Sequence, residues 1–146
     1  GQGGDELFGG YQRYLKDYAQ FGVEAMQKAL YRDVAKSYET NFQRDSQVCS
    51  FHKVELRLPF VDRDVVHFSL GLPLSLKIES AEDRLRKRVL RRVAQNLGLP
   101  MFIANKTKKA VQYTTGANKA IQKLAKKKGL TPREHTEQIF QKVYPP

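Results

Sequence analysis

The sequence of 146 residues has one cysteine, a deficit of acidic side chains and no long apolar run. Cys49 alone cannot form an intramolecular disulfide, and no second cysteine or histidine lies near it at zinc-finger spacing, so we expect a buried thiol. No segment approaches the roughly 18 apolar residues of a membrane-spanning helix. The amino-terminal residues also lack the charged-then-apolar pattern of a signal peptide. We therefore expect a soluble, cytoplasmic protein without a membrane partner.

The excess of basic side chains, 26 Lys and Arg against 15 Asp and Glu, gives a formal charge of +11. Such a charge suits nucleic acid, an anionic surface or a polyphosphate ligand, and does not choose among them. Much of it lies at 84–92 and 119–128, where apolar residues at helical spacing indicate solvated helix faces. The sequence shows no helix-turn-helix, zinc-finger or RNA-recognition signature, and aromatic residues do not interleave the basic runs. Nucleic-acid binding therefore remains only an alternative.

Helical periodicity dominates the chain. It predicts helices over 23–42, 62–70, 80–97, 117–128 and after Thr131, where Thr131, Pro132 and Glu134 form a capping box. Ser80 is the predicted N-cap of its helix, Gly98 ends that helix, and the first helix should break near Arg32 or Asp33. Only 54–60 alternates like a strand, and one isolated strand cannot build a sheet. The chain is predicted to be mainly α, with 1–146 as a single domain.

The opening segment, Gly-Gln-Gly-Gly-Asp-Glu-Leu-Phe-Gly-Gly-Tyr, holds five of the ten glycines. Glycine density lets backbone amides approach a phosphate, and a following helix adds a positive N-terminal dipole. An aspartate in an anion site would repel the anion unless a metal ion lay between the carboxylate and the phosphate. Asp5 is therefore a candidate Mg²⁺ ligand bridging to phosphate oxygens. The alternative is a flexible start in which Asp5 and Glu6 are only helix-capping acids.

Two further segments carry candidate chemistry. Glu55 and Arg57 share one side of an extended stretch, where a carboxylate and a guanidinium could orient and deprotonate an amine nucleophile. The alternative is a surface ion pair. The segment 106–116 is basic and hydroxyl-bearing and precedes a helix, which suits an oxyanion or a leaving pyrophosphate. Its lysines could equally be solvent-exposed.

The three segments occur together and in order: Gly-x-Gly-Gly-Asp-Glu-Leu-Phe-Gly-Gly-Tyr, Glu-x-Arg-x-Pro-Phe-x-Asp and Lys-x-Lys-Lys-Ala-x-Gln-Tyr. In this combination the chain resembles the C-terminal half of the synthetase domain of glutamine-dependent asparagine synthetases, and of the related β-lactam synthetases. The segment 41–45, which ends in Arg44-Asp45, is similar to the arginine-aspartate segment that precedes the second motif in that family.

The resemblance implies an ATP-dependent and Mg²⁺-dependent reaction. An aspartate side-chain carboxylate attacks the α-phosphorus of ATP, pyrophosphate leaves, and ammonia, supplied free or from glutamine, then displaces AMP. By match to the motifs, Asp5 is the metal ligand. The residues expected to bind ATP are Gly3, Gly4, Asp5, Glu6 and Lys106. Those expected to be catalytic are Glu55, which assists proton removal from the attacking nitrogen, and Lys108, near the departing phosphate, with Lys109 as the neighbouring candidate.

The chain also departs from the family pattern. Residue 2 is Gln where many asparagine synthetases carry an acid, which leaves the acceptor amino acid open. The sequence contains no Ser-Gly-Gly-x-Asp-Ser pyrophosphate loop. The fold that the resemblance implies is the helical C-terminal part of an adenine-nucleotide-hydrolase-like α/β domain whose parallel sheet lies upstream. We expect the chain to hold only half of the catalytic site and to show no turnover by itself. It would then be a fragment, or a subunit whose site another chain completes. A homodimer is also expected. A non-catalytic helical scaffold is the further alternative.

Overall fold

The computed structural model describes residues 2–109 and 114–144, which are mainly helical and contain no β-strand. The chain divides between Lys108 and Lys109 into two compact units. The first unit contains α1 (Gly4–Phe8), α2 (Gln12–Phe21), α3 (Val23–Ser37), a π-helical turn (Tyr38–Phe42), α4 (Gln43–Phe51), a 3₁₀ turn (Pro59–Val61), α5 (Arg63–Gly71), a second 3₁₀ turn (Leu74–Leu76), α6 (Arg88–Asn96) and α7 (Met101–Ala104). The helical expectation is therefore confirmed. The prediction of a single domain stays a prediction.

The core of the first unit lies between α2 and α3. Its buried side chains are Tyr14, Met26, Ala29, Leu30 and Ile78. The Tyr14 hydroxyl donates a hydrogen bond of 2.6 Å to Asp33, so the one polar atom of this ring has a partner. Arg13 also bonds Asp33, at 2.6 Å, and ties the two helices together at their edge.

The predicted break near Arg32 or Asp33 is wrong. Asp33 does not cap a new helix because its carboxylate instead faces α2, and α3 continues to Ser37. The irregularity comes later, in the π-helical turn at Tyr38–Phe42, where the Gln43 amide donates to the Tyr38 carbonyl five residues back. The sequence thus predicted an interruption of the apolar stripe but misplaced it.

The helix predicted to begin after Ser80 begins instead at Arg88. Asp83 causes the difference, because its buried carboxylate accepts hydrogen bonds from the backbone amides of Glu79, Leu85 and Arg86 at 2.9–3.0 Å. These amides are thereby withdrawn from helical hydrogen bonding. The Ser80 hydroxyl still accepts from an amide, that of Glu82 at 3.2 Å, but within a turn.

The loop that Asp83 organises, residues 79–87, ends with two consecutive residues in the left-handed region, Arg86 (φ 52°) and Lys87 (φ 50°). Non-glycine residues adopt this conformation only where surrounding contacts hold them. Arg88 follows and donates to Asp83 at 3.0 Å. Burial raises the pKa of Asp83, but the Arg88 guanidinium and the three amides lower it more, so it lies below its ordinary value.

Other local predictions are confirmed. Asp62 caps α5 by accepting from the amides of Asp64 and Val65, and Gly98 takes a left-handed φ of 94° after α6.

Cys49 is free but only half-buried, so the expectation of a buried thiol is wrong. None of the described helices has the length and apolarity needed to cross a bilayer.

The second unit contains α8 (Ala117–Lys127) and α9 (Pro132–Val143) in its described part. The two helices pack together around the buried Ala125 and His135. Thr131 and Glu134 form the predicted capping box: the Thr131 hydroxyl accepts from the Glu134 amide, and the Glu134 carboxylate accepts from the Thr131 amide at 2.7 Å. The helix predicted over 117–128 is confirmed to within one residue.

Replacing Asp83 with alanine should lower the free energy of unfolding by about 3 kcal/mol, because Arg88 and three amides lose a buried partner. Urea unfolding at neutral pH measures the change. The pKa of Asp83 is lowered on folding, so its contribution exists above the unfolded pKa and is lost as pH falls through the folded pKa. The difference between wild type and Asp83→Ala should therefore shrink in acid.

The matched control is Glu82→Ala, which removes an exposed carboxylate from the adjacent residue. It should change the unfolding free energy by less than about 0.5 kcal/mol at any pH. Equal losses for the two variants would show that Asp83 does not organise this loop.

Thr131→Ala should destabilise α9 by about 1 kcal/mol, because the capping box loses its hydroxyl acceptor. Hydrogen exchange of the first-turn amides measures the effect. Thr136→Ala is the control, since the Thr136 hydroxyl lies within the same helix and donates to the carbonyls of Pro132 and Arg133. Faster exchange in Thr136→Ala than in Thr131→Ala would contradict the capping role.

Candidate functional site

The candidate site is centred on Asp5, in the first turn of α1. One carboxylate oxygen lies 2.8 Å from the Lys87 ammonium and the other lies 3.3 Å from the Lys108 ammonium. All three side chains are about one-quarter exposed. The structure therefore brings together two of the predicted site residues, Asp5 of the first motif and Lys108 of the third. It adds Lys87, which the sequence pattern did not single out.

Two opposing effects act on the ionisation of Asp5. Burial raises its pKa, whereas hydrogen bonding and charge interaction with Lys87 and then Lys108 lower it by more, so the pKa lies below its ordinary value of 3.8. Asp5 is thus ionised at neutral pH. With two ammonium groups on one carboxylate, the cluster keeps a net positive charge that can attract an anion.

Gly10 allows this cluster to form. Its amide donates to the Asp5 carbonyl at 2.8 Å, and a β-carbon at Gly10 would lie 1.8 Å from an Asp5 carboxylate oxygen and 2.4 Å from the Lys87 side chain. Any side chain there would displace the Asp5–Lys87 pair. Gly9 is similarly constrained, because its β-carbon would lie 2.7 Å from the core residue Ile78 at a φ of +71°.

Glu6 has a different role from its neighbour Asp5. Its buried carboxylate accepts hydrogen bonds from the Tyr11 hydroxyl at 2.6 Å and from the Asn41 amide group at 3.2 Å. Burial and this carboxylate raise the pKa of Tyr11, which keeps the phenol neutral. The Lys108 ammonium lies 5.2 Å from the centre of the Tyr11 ring, within cation–π distance. Glu6 therefore fixes a ring that supports Lys108.

The segment 41–45 and the second motif both pack against the glycine-rich opening. Gln2 donates to Asp45 at 2.6 Å. The Phe60 ring contacts Phe8 edge-on, with centroids 5.9 Å apart. A β-carbon at Gly3 would lie 3.1 Å from Val61, and one at Gly4 would lie 3.4 Å from Phe60. The predicted loop glycines are thus buried under the second motif.

Other predicted residues lie apart from the cluster. Glu55 forms two hydrogen bonds of 3.0 Å with Arg57, and the two side chains are 71% and 81% exposed. This is the surface ion pair that the sequence left as an alternative, and Glu55 contacts neither Lys87 nor Lys108. Lys106 is exposed, whereas its backbone carbonyl accepts from Arg91. Lys109 is also exposed, and the motif residues 110–113 lie outside the described part of the chain.

The basic run at 84–92 is only partly a solvated helix face, so that expectation is corrected. Lys87 pairs with Asp5, Arg88 pairs with Asp83 and Glu79, and Arg91 donates to backbone carbonyls. Buried or half-buried positive charges need such partners because they have lost water. Spacing predicted a helix through this run, and nothing in the local pattern distinguished the charges that point inwards.

Comparisons with known proteins agree with the motif pattern. The family model described as Asparagine synthase matches residues 18–144. A glutamine-hydrolyzing asparagine synthetase homologue of Methanocaldococcus jannaschii is 36% identical over 94% of this chain and 30% of its own length. Asparagine synthetase domain-containing protein 1 of Mus musculus is 33% identical over 77% of this chain and 18% of its own length.

Asparagine synthetase domain-containing protein YML096W of Saccharomyces cerevisiae is 32% identical over 77% of this chain and 20% of its own length. No solved structure matches the chain. The chain spans less than a third of the length of these curated relatives. The family match covers most of the chain and includes the residues around Lys87 and Lys108, so this chain belongs to the asparagine synthase family.

Proposed function

We propose that this chain supplies the Asp5–Lys87–Lys108 part of an ATP-dependent synthetase site in an asparagine-synthetase-like amidotransferase. In this reaction a carboxylate of aspartate or a similar amino acid is adenylated with release of pyrophosphate, and ammonia, free or from glutamine, then displaces AMP. The observation that carries the proposal is the 3.3 Å contact between Asp5 and Lys108, which joins two motifs far apart in the sequence.

The cluster suits a phosphate chain because its charge is net positive and partly shielded from water. Lys87 and Lys108 can each donate charge-assisted hydrogen bonds to phosphate oxygens. Charge builds up on the pyrophosphate as it leaves, and donors already in place stabilise that charge without reorganising. Lys108 is therefore proposed as the catalytic lysine, with Lys87 as its partner. Lys106 is proposed as a further phosphate contact from the same loop.

Asp5 is the proposed ligand for Mg²⁺. Magnesium usually binds one or two carboxylates and takes its remaining ligands from phosphate oxygens and water, a requirement that one ionised, partly exposed aspartate fits. When bound, Mg²⁺ offsets the negative charge of the phosphates. Asp5 would then release its ammonium partners, which could turn to the same phosphates. Gly3, Gly4 and Glu6 are proposed to shape this loop rather than to act in the chemistry.

Glu55 remains the proposed base that assists proton removal from the attacking nitrogen. Its present partner is Arg57 on an exposed stretch, so it would have to exchange that partner when the nucleophile binds. Catalytic hydrogen bonds commonly tighten only in the substrate complex. We further propose that an upstream ATP-binding half, outside these 146 residues, completes the site, and that the protein can form a homodimer.

Lys108→Ala should weaken binding of Mg²⁺–pyrophosphate about ten-fold, because one charge-assisted contact is lost. Titration calorimetry of the 146-residue chain measures the affinity. Lys109→Ala is the matched control, since it removes the same charge from the adjacent, exposed residue and should change the affinity less than about two-fold.

Asp5→Asn should reduce the dependence of pyrophosphate binding on Mg²⁺, because the amide is a poorer ligand than the carboxylate.

Equal effects of Lys108→Ala and Lys109→Ala would indicate general charge attraction instead of a site. Absence of Mg²⁺–pyrophosphate binding by the folded wild-type chain would contradict the proposal.

The isolated chain should form no asparagine and AMP from ATP, Mg²⁺, aspartate and ammonium, because electrostatic catalysis needs all its donors placed together. Coupled detection of pyrophosphate and AMP checks this result. Robust turnover by the 146 residues alone would show that they hold a complete site.

A further inference from the structure

We propose that Arg91 is a positioning residue that holds the Lys87 and Lys108 loops in the arrangement in which both ammonium groups reach Asp5. Its relevance to catalysis rests on the proposed function, whereas its effect on the geometry does not. Arg91 lies in α6 and touches neither Asp5 nor the two ammonium groups. It acts instead through backbone carbonyls on both loops.

The Arg91 guanidinium donates hydrogen bonds to four carbonyl groups. Two belong to the loop before α6: Arg86, at 2.8 Å from Nε, and Leu85. The other two lie at and just beyond the end of α7: Ala104, its last residue, and Lys106, at 2.8 Å. Arginine suits this task because its planar group carries five donors in a fixed fork, whereas lysine directs three donors from one point.

The bonded carbonyls stand next to the two lysines of the cluster. Leu85 and Arg86 immediately precede Lys87, whose backbone and that of Arg86 are in the left-handed region. That conformation is strained for residues with side chains and needs contacts that hold it. Lys106 lies two residues before Lys108, in a stretch without regular structure. One guanidinium therefore links the strained turn before Lys87 to the stretch before Lys108.

The desolvation of Arg91 supports the view that it is a fixed element. Burial lowers the pKa of Arg91, and the nearby cations Arg86 and Arg88 act in the same direction, while Asp83 opposes them. Arg91 has no carboxylate within ion-pair distance among the described residues. Carbonyl oxygens balance its positive charge, so Arg91 does not compete with Lys87 and Lys108 for the Asp5 carboxylate.

Carbodiimide cross-linking of the 146-residue chain tests the proposal without any nucleotide. The carbodiimide adds to a carboxylate and activates it. A lysine amine in contact with that carboxylate then forms an amide, and the reagent leaves as its substituted urea. Mass spectrometry should find Asp5–Lys87 and Asp5–Lys108 cross-links in the wild type. In Arg91→Ala, the yield of both should fall about ten-fold, because the four hydrogen bonds that hold the two loops are lost and the lysines then contact Asp5 less often.

The matched control is Arg92→Ala, which removes the exposed arginine next along α6 and should leave the yields within about two-fold of the wild type. Added guanidinium ion at a non-denaturing concentration should restore the cross-links in Arg91→Ala, and sodium ion should not. A purely structural role predicts loss of helical circular dichroism without such rescue. Wild-type yields in a folded Arg91→Ala protein would overturn the proposal.

Arg91→Lys provides the second variant should Arg91→Ala lose its helical signal. It keeps the charge but cannot span both loops, so it should fold and still show reduced yields. Loss of the fold in both variants would overturn the positioning role in favour of a general structural one. If the cross-links behave as expected while the wild type binds no Mg²⁺–pyrophosphate, the proposed function fails and the positioning role stands.

Discussion

The described structure depends on one electrostatic arrangement, in which the Asp5 carboxylate lies between the ammonium groups of Lys87 and Lys108. Three segments far apart in the chain meet there. Their approach requires Gly10, because a β-carbon at that position would occupy the space of the carboxylate. A half-buried carboxylate is costly unless it is paired, and here the pairing outweighs the cost, so the pKa of Asp5 falls below its ordinary value.

The same rule organises the loop before α6. Asp83 is buried, and it collects three backbone amides and Arg88 in place of water. This loop shortens the helix at its start and delivers Lys87 to Asp5. Much of the basic excess at 84–92 is therefore used inside the molecule, which weakens the argument from net charge to nucleic-acid binding. A polyphosphate ligand agrees better with a cluster in which two ammonium groups face one carboxylate.

Membership of the asparagine synthase family gives these contacts a chemical context, while the chain spans less than a third of the length of its curated relatives. The structure divides the predicted residues into two groups. Asp5 and Lys108 meet, Gly3 and Gly4 lie buried under Phe60 and Val61, and Glu6 holds the Tyr11 ring near Lys108. Glu55 and Lys106 present exposed side chains, so their proposed roles depend on what binds.

The sequence by itself determined that α3, α5, α6, α8 and α9 are helical, and where α5 and α9 begin, because apolar stripes and caps such as Asp62 and Thr131 act over a few residues. It did not predict α1, α2, α4 or α7. It also determined the family, through the order of three motifs. It misplaced the interruption after α3 and the start of α6, because Asp33 and Asp83 have partners that local pattern does not reveal. Only the tertiary structure decided that Lys87 and Gly10 belong to the site and that Arg91 links two loops. These roles arise from distances between segments far apart in the chain, which spacing along the sequence does not encode.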